Sequence, residues 1–242
     1  MNALLAVDGV SKRFRGLVAV DRVSLEVPQG SIVAVIGPNG AGKTTLFNVI
    51  AGVYAPDGGT ITFAGERIEG LPPDKVCRRG IGRTFQIVRP FPTLSVEDNV
   101  IIGALLRRHH ATDARAHAQD VLRRLDLHDK RLQPASALTL PDRKRLEVAR
   151  ALAADPKLLL LDEVMAGLRP TETDRMVTIL KEINRDSGLT ILLIEHVMRA
   201  VMALAARIVV LHHGAEIAQG APEEVVRNPA VIHSYLGAED VA

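Results

Sequence analysis

An α/β fold is what the sequence predicts, on three observations. A strand-length apolar run at residues 31–36 passes through a glycine-rich loop into a helical pattern at 44–51. Further apolar runs at 157–161, 189–194 and 208–211 alternate with helical patterns at 171–184 and 197–205. Such alternation implies a mainly parallel sheet covered on both faces. Between these halves, residues 93–153 carry helical periodicity and read as a helical subdomain inserted into the core.

The elements follow in order. From Val18 to Val27 apolar and polar residues alternate, the period of a half-exposed strand. Pro28-Gln29-Gly30 is a turn. Asp57-Gly58-Gly59 marks another, and residues 60–64 a short strand, so the N-terminal part reads as an antiparallel β subdomain. Ser95 is placed to cap a helix, with Asp98 at its third position and Val100, Ile101, Ala104 and Leu105 keeping a helical period. Residues 113–127 and 142–153 form two more helices. The expected organisation is one domain over residues 1–242. Its core is 1–86 plus 157–242, and its helical subdomain is 87–156.

Composition excludes several classes. Of the 242 residues, 47% are hydrophobic and 24% charged, the balance of an ordinary globular protein. Aromatics are only 3%, so aliphatic packing dominates and stacking platforms for single-stranded nucleic acid are not expected. A net charge of +2 does not describe a polyanion-binding surface, so no nucleic-acid partner is expected. Arg107, Arg108, His109 and His110 read as a solvated helix end. Cys77 is the single cysteine, which leaves no internal disulfide and suits a reducing compartment. No run approaches the roughly 20 apolar residues that cross a bilayer. Residues 1–5 lack the positive start of a secretory signal. The chain is expected to be soluble by itself and to reach a membrane only through a partner.

Chemistry concentrates first at Gly37-Pro38-Asn39-Gly40-Ala41-Gly42-Lys43-Thr44-Thr45, which fits G-x-x-x-x-G-K-[ST]. Glycines let the backbone curl so that successive N–H groups face phosphate oxygens. Lys43 can reach the β- and γ-phosphates, and the Thr44 hydroxyl can hold Mg²⁺. The helix that follows turns its N-terminus to the anion. The predicted fold is therefore a P-loop NTPase core, with ATP and Mg²⁺ as its ligands.

A second concentration is Leu158-Leu159-Leu160-Leu161-Asp162-Glu163. A buried parallel strand delivers its carboxyl end to the ligand crevice. Asp162 can bind Mg²⁺ there as the acidic partner of Thr44. Glu163 can orient and deprotonate the attacking water. Alternatively, the two acids simply end a strand.

With these residues in view, the chain resembles the ATP-binding subunits of ATP-binding-cassette (ABC) transporters over essentially its whole length. Residues 37–44 resemble the Walker A motif and Arg83-Thr84-Phe85-Gln86 the Q-loop. Residues 138–147 lie where the signature motif belongs, and 158–163 resemble Walker B. Ala166-Gly167-Leu168 resembles the D-loop and Ile194-Glu195-His196 the H-loop. Arg89-Pro90-Phe91, Thr93 to Val100 and the tail through Ser234-Tyr235-Leu236-Gly237 are most similar to the import ATPases for branched-chain amino acids.

The resemblance carries implications. Two such subunits pack head to tail, each ATP lying between Walker A of one and the signature of the other. Gln86 would contact the metal or water, and His196 would hydrogen-bond the γ-phosphate. Phe14 lies where the family stacks adenine; a packing role is the other reading. The apolar stretch with Ile87, Val88, Pro90, Phe91, Pro92 and Leu94 would meet a short cytoplasmic helix of the membrane subunit, or else be a buried connection.

The signature departs from the family's Leu-Ser-Gly-Gly-Gln. Here it reads Leu138-Thr139-Leu140-Pro141-Asp142, and the candidate contacts to the partner's ATP are Thr139, Leu140, Pro141 and Asp142. Thr139 keeps a hydroxyl, but Leu140 brings bulk and Pro141 has no N–H to offer. Proline does suit a first helical turn. Arg143-Lys144-Arg145 put positive charge nearby. Val164 and Arg169 also differ from the family pattern.

The implied function is an ATPase that powers import of branched-chain amino acids or a similar polar solute at the cytoplasmic face of the inner membrane. Its implied partners are transmembrane permease subunits, a second ATPase subunit and, indirectly, an extracytoplasmic solute-binding protein. The altered signature favours a heterodimer over a homodimer. The alternatives are a nucleotide-binding subunit with little turnover and the ATPase of a lipid or lipopolysaccharide exporter.

Overall fold

In the computed structural model, residues 3–86 and 90–236 are described. Ile87, Val88, Arg89 and Gly237, named above, lie outside the described residues. The chain opens with β1 (Ala3–Phe14) and β2 (Leu17–Pro28), an antiparallel pair whose register shifts several times. β3 (Ile32–Ile36) follows, then the glycine loop and α1 (Lys43–Ile50). β4 (Gly58–Phe63) and β5 (Glu66–Arg67) complete a four-stranded sheet in the order β2-β1-β4-β5.

α2 (Pro73–Arg79) leads into β6 (Ile81–Arg83). Three helices follow: α3 (Val96–Ala104), α4 (Ala111–Arg124) and α5 (Leu140–Leu152). The chain then alternates through β7 (Leu158–Asp162), α6 (Pro170–Ser187), β8 (Thr190–Ile194), α7 (Met198–Leu204) and β9 (Arg207–His212). β10 (Ala215–Gly220), α8 (Pro222–Val225) and α9 (Pro229–Leu236) end the described chain. The second sheet runs β10-β9-β3-β8-β7-β6, parallel throughout except for β10 against β9.

Strand alternation builds two cores on one sheet. Ile32, Ala34 and Ile36 of β3, with Leu159 and Leu161 of β7, face α3 to α7. Val33, Val35, Leu158 and Leu160 face the other way, against α1 and the four-stranded sheet. Both faces are covered, which is why these strands are continuously apolar. α1 inserts Leu46, Phe47, Val49 and Ile50 into the second core. Its N-terminus, and with it the loop before Lys43, is thereby held at the carboxyl end of β3.

The helical region is fixed by caps and one buried amide. Ser95 Oγ accepts the Asp98 N–H at 3.0 Å, the cap expected from sequence. Asn99 is fully buried. Its Oδ1 accepts the Phe91 N–H at 2.8 Å, and its Nδ2 donates to the carbonyls of Phe91 (3.1 Å) and Ser95 (2.9 Å). This side chain, with the Ala135 and Ser136 N–H groups donating to the Leu94 and Pro92 carbonyls, holds the segment carrying the exposed Phe91 and Leu94. Asn99→Ala strands those buried groups and is expected to cost about 2–3 kcal/mol. Thermal unfolding should then shift down by roughly 5–10 °C, a change that calorimetry resolves.

The dense basic run is a solvent-facing helix end, as expected: Arg107, His109 and His110 are exposed. Two of its side chains make surface contacts, Arg108 pairing with Asp155 at 2.5 Å and Arg107 donating to the Arg78 carbonyl at 2.7 Å.

Candidate functional site

Parallel registry brings the distant motifs together. Asp162 at the end of β7 pairs with Ile194 of β8, and Ile194 pairs with Val35 of β3. The loops after β3, β7 and β8 therefore open at one edge, the crevice outside the carboxyl ends of the strands. β6 aligns Arg83 with Leu160, so Gln86 emerges at the same edge.

The glycine loop is tightly set. Gly42 has φ +97°, and a β-carbon there would lie 2.2 Å from the Ala19 carbonyl oxygen of β2. The Gly214 N–H donates to the Ala41 carbonyl at 3.1 Å, bracing the loop from the β9–β10 turn. Lys43 is buried, and its Nζ donates to the carbonyls of Gly37 (2.7 Å) and Pro38 (2.9 Å). Burial pulls its pKa below the usual lysine value, against the opposing charges of Glu163 and Asp162. Thr44 is exposed beside it.

A cavity of about 440 Å³ is lined by Asn39, Gly40, Ala41, Gly42, Lys43, Thr44 and Thr45, with Gln86 and Glu163 on one side. Leu17, Val18, Ala19 and His213 form the other wall. An adjoining cavity of about 480 Å³ shares Thr44 and Gln86 and adds Arg83, Phe85, Glu147, Arg150 and Asp162. A larger one of about 830 Å³ lies at the opposite ends of β7 and β8, by Lys157 and Thr190, and holds none of these residues.

Asp162 is buried, which raises its carboxyl pKa; the Arg83 guanidinium, 3.2 Å from Oδ2, opposes that rise. Its Oδ1 is buried with no hydrogen-bond partner. A buried carboxylate oxygen without a partner, in a cavity shared with an exposed threonine hydroxyl, is a donor set that suits a hard divalent cation. Glu163 follows in the left-handed region at φ +51°. Gln86 Nε2 donates to Glu163 Oε2 at 2.7 Å, and His196 Nδ1 lies 3.9 Å from Oε1. The structure thus brings Lys43, Thr44, Gln86, Asp162, Glu163 and His196 to one crevice.

Phe14 and the 138–142 segment stand apart from it. The Phe14 ring is partly exposed and packs edge-on against Tyr54, with ring centres 5.1 Å apart. Its backbone pairs with Leu17 of the cavity wall, but its ring does not line the described cavity. Thr139 caps α5 by position, and its hydroxyl donates to Asp142 Oδ2 at 2.8 Å. Leu140 is exposed, and Pro141 sits in the first turn of α5. Asp142 is buried between Lys130 and Arg145, each 2.5 Å away. Burial alone would raise its carboxyl; Lys130, Thr139 and Arg145 together hold it below the usual value.

The positive charge expected beside that segment is redistributed. Lys144 turns inward and Arg145 pairs with Asp142, so of the three cations only Arg143 stays exposed, bonded to the Ser136 carbonyl at 3.0 Å. Arg169, one of the two further departures, sits at the N-cap position of α6, where its backbone N–H and its guanidinium both donate to the Glu172 carboxylate at 2.8 Å. Sequence reasoning did not single out Arg83, Lys144 or Glu195 as site residues. Their only signal was charge beside a motif, and direction of a side chain is not written in spacing.

Comparisons with known proteins agree with this fold. Residues 20–166 match the family model described as "ABC transporter". Residues 216–241 match the one described as "Branched-chain amino acid ATP-binding cassette transporter". The chain is 43% identical over 249 residues to the high-affinity branched-chain amino acid transport ATP-binding protein LivG of Salmonella typhimurium, covering 97% of this chain and 98% of that one. It is 39% identical over 251 residues to the corresponding BraF of Pseudomonas aeruginosa, with the same coverage. Among solved structures it superposes on a nucleotide-free ATP-binding cassette from an ABC transporter at TM-score 0.89 and 29% identity, covering 98% of this chain and 100% of that one. The ADP conformation of the cassette MJ1267 gives the same values.

Proposed function

Because the chain belongs to the ABC transporter family, as the ATP-binding subunit of a branched-chain amino acid transporter, we propose that it hydrolyses ATP with Mg²⁺ to drive import of the amino acid. The observation that carries the chemistry is Glu163 held at 2.7 Å by Gln86 beside the Lys43 cavity. Lys43 and the backbone amides of residues 37–45 bind the phosphates. Thr44 and Asp162, with Gln86 near them, would hold Mg²⁺, which when bound supplies charge neutralisation on the phosphate oxygens. Glu163 orients water and accepts its proton. His196, on the far side of the Glu163 carboxylate, hydrogen-bonds the γ-phosphate. Phe14 stacks on adenine, its ring braced by Tyr54.

The exposed rings of Phe85 and Phe91, with Leu94, suit docking to a permease subunit at the cytoplasmic face of the inner membrane. No described helix is long and apolar enough to cross a membrane, so attachment runs through that permease. An extracytoplasmic solute-binding protein acts beyond it. The second ATPase subunit is a different chain. Here the Thr139 hydroxyl is committed to Asp142, and Leu140 and Pro141 stand where close backbone approach to a phosphate is needed. A partner with a glycine-bearing segment gives the pair one complete site, formed around this chain's own ATP.

The test is amino-acid uptake and ATP hydrolysis by the complete transporter in proteoliposomes. Lys43→Ala should reduce both by at least about a hundredfold, the scale of losing a preorganised charge at the phosphates. Normal rates in that variant would remove the phosphate-binding role.

A further inference from the structure

α5 buries three charged side chains, Asp142, Lys144 and Glu147. Asp142 pairs with Lys130 and Arg145, and Glu147 with Arg150 at 2.9 Å. Among the described residues, no carboxylate lies within ion-pair distance of Lys144. Its Nζ donates instead to two backbone carbonyls, of Glu163 at 2.9 Å and of Gln86 at 3.4 Å. Only 5% of the residue is exposed. A buried ammonium with two peptide acceptors and no charge partner carries a desolvation cost.

What it holds is a strained stretch of backbone at Glu163, one of two described non-glycine residues of the cavity in the left-handed region, the other being His213. Glu163 sits at φ +51°, a region that a β-carbon disfavours and that persists only where the surroundings fix it. Three bonds do so: its N–H donates to Ile194, its carbonyl accepts from Ala166, and the same carbonyl accepts from Lys144. The second comes from the local chain, and the first from the end of β8. The third comes from another element, α5, and that cation also reaches the Gln86 peptide. Glu195 lies behind, buried, with Oε1 accepting the Met165 N–H at 2.8 Å and Oε2 without a partner. Its charge, with those of Glu163 and Asp162, counters the burial that lowers the Lys144 pKa.

We propose that Lys144 is a positioning residue for hydrolysis: it locks the Glu163 peptide in its left-handed turn and ties the Gln86 peptide to it. The Glu163 carboxylate and Gln86 carboxamide then keep the contact that aims the proton acceptor. The inference rests on the reading of Glu163 as the general base. It also links the second turn of α5 to function. Any shift of the helix that begins at Leu140 moves Nζ against the Glu163 carbonyl.

The experiment uses the transporter purified with its permease subunits. Lys144→Met keeps the stem and removes the donors. It should lower kcat for ATP hydrolysis by about tenfold to a hundredfold, the scale of a small misplacement of a catalytic group. KM for ATP, and the affinity for a fluorescent ATP analogue, should stay within about twofold. Lys144→Arg, which keeps the charge and the donors, should recover most of the lost kcat. An unchanged kcat in Lys144→Met overturns the proposal. So does a parallel loss of kcat and nucleotide affinity, which marks a merely structural role. If Lys144→Met melts below the assay temperature, Lys144→Gln, with one amide donor, is read by the same split. Glu163→Gln run alongside separates the two readings. If it turns over normally, the base assignment falls and this proposal with it. If it is inactive while Lys144→Met is normal, only the proposal falls.

Discussion

Glu163→Gln is expected to lower ATP turnover by at least about a hundredfold, with nucleotide affinity changed by less than about twofold. Glutamine keeps the length of the side chain and an oxygen for the Gln86 amide, which now donates to Glu163 at 2.7 Å. It keeps nothing that accepts a proton from water at neutral pH. Lys43, Thr44 and the loop amides are untouched, so binding should persist. Two measurements check the split: steady-state hydrolysis in the reconstituted transporter, and equilibrium binding of a fluorescent ATP analogue. Turnover near the wild-type rate would move the proton acceptor to another group.

Gly42→Ala should be nearly as damaging, for a steric reason. The residue has φ +97°, and its β-carbon would meet the Ala19 carbonyl oxygen at 2.2 Å. That oxygen belongs to a β2 strand paired with β1 and cannot swing away like a flexible side chain. The loop must move, and the amides before α1 move with it. Strain of about 1–3 kcal/mol is typical of a non-glycine residue forced into such a conformation, and the backbone clash adds to it. Nucleotide affinity should fall by more than about tenfold, measured by the same analogue titration. Gly40→Ala is the control: its added β-carbon meets nothing within 4 Å, although its φ of +80° still disfavours alanine. The larger defect should belong to position 42.

Legibility from sequence followed burial. β3, β7, β8 and β9 are short and continuously apolar because both faces are covered, and such runs announce themselves. β1 was not read. Its polar positions are mixed, and its register shifts around Gly9 break the alternation that marks a strand. β10, Ala215–Gly220, carries one large apolar residue, Ile217, and was equally silent. Helix ends were readable where chemistry marks them. Ser95 caps α3, and Gly188 closes α6 in the left-handed conformation.

At the site, the motifs give residue types but not contacts. Gln86 and Glu163 are 77 positions apart and meet only because β6 and β7 are neighbours. Lys144 illustrates the limit most sharply. Beside Arg143 and Arg145 it reads as surface charge, yet it shares the buried face of α5 with Glu147, Val148 and Leu152 and points into the reaction centre. Thr139 illustrates the converse: its hydroxyl is present as the pattern suggests, but is committed to Asp142.

The two bonds from the Lys43 ammonium to its own loop bear on how a phosphate is admitted. A phosphate chain must draw that ammonium off the oxygens of Gly37 and Pro38 before it gains a charge partner. The exchange trades two neutral acceptors for a charged one. The cation that braces the loop is therefore the same group a phosphate must turn as it binds.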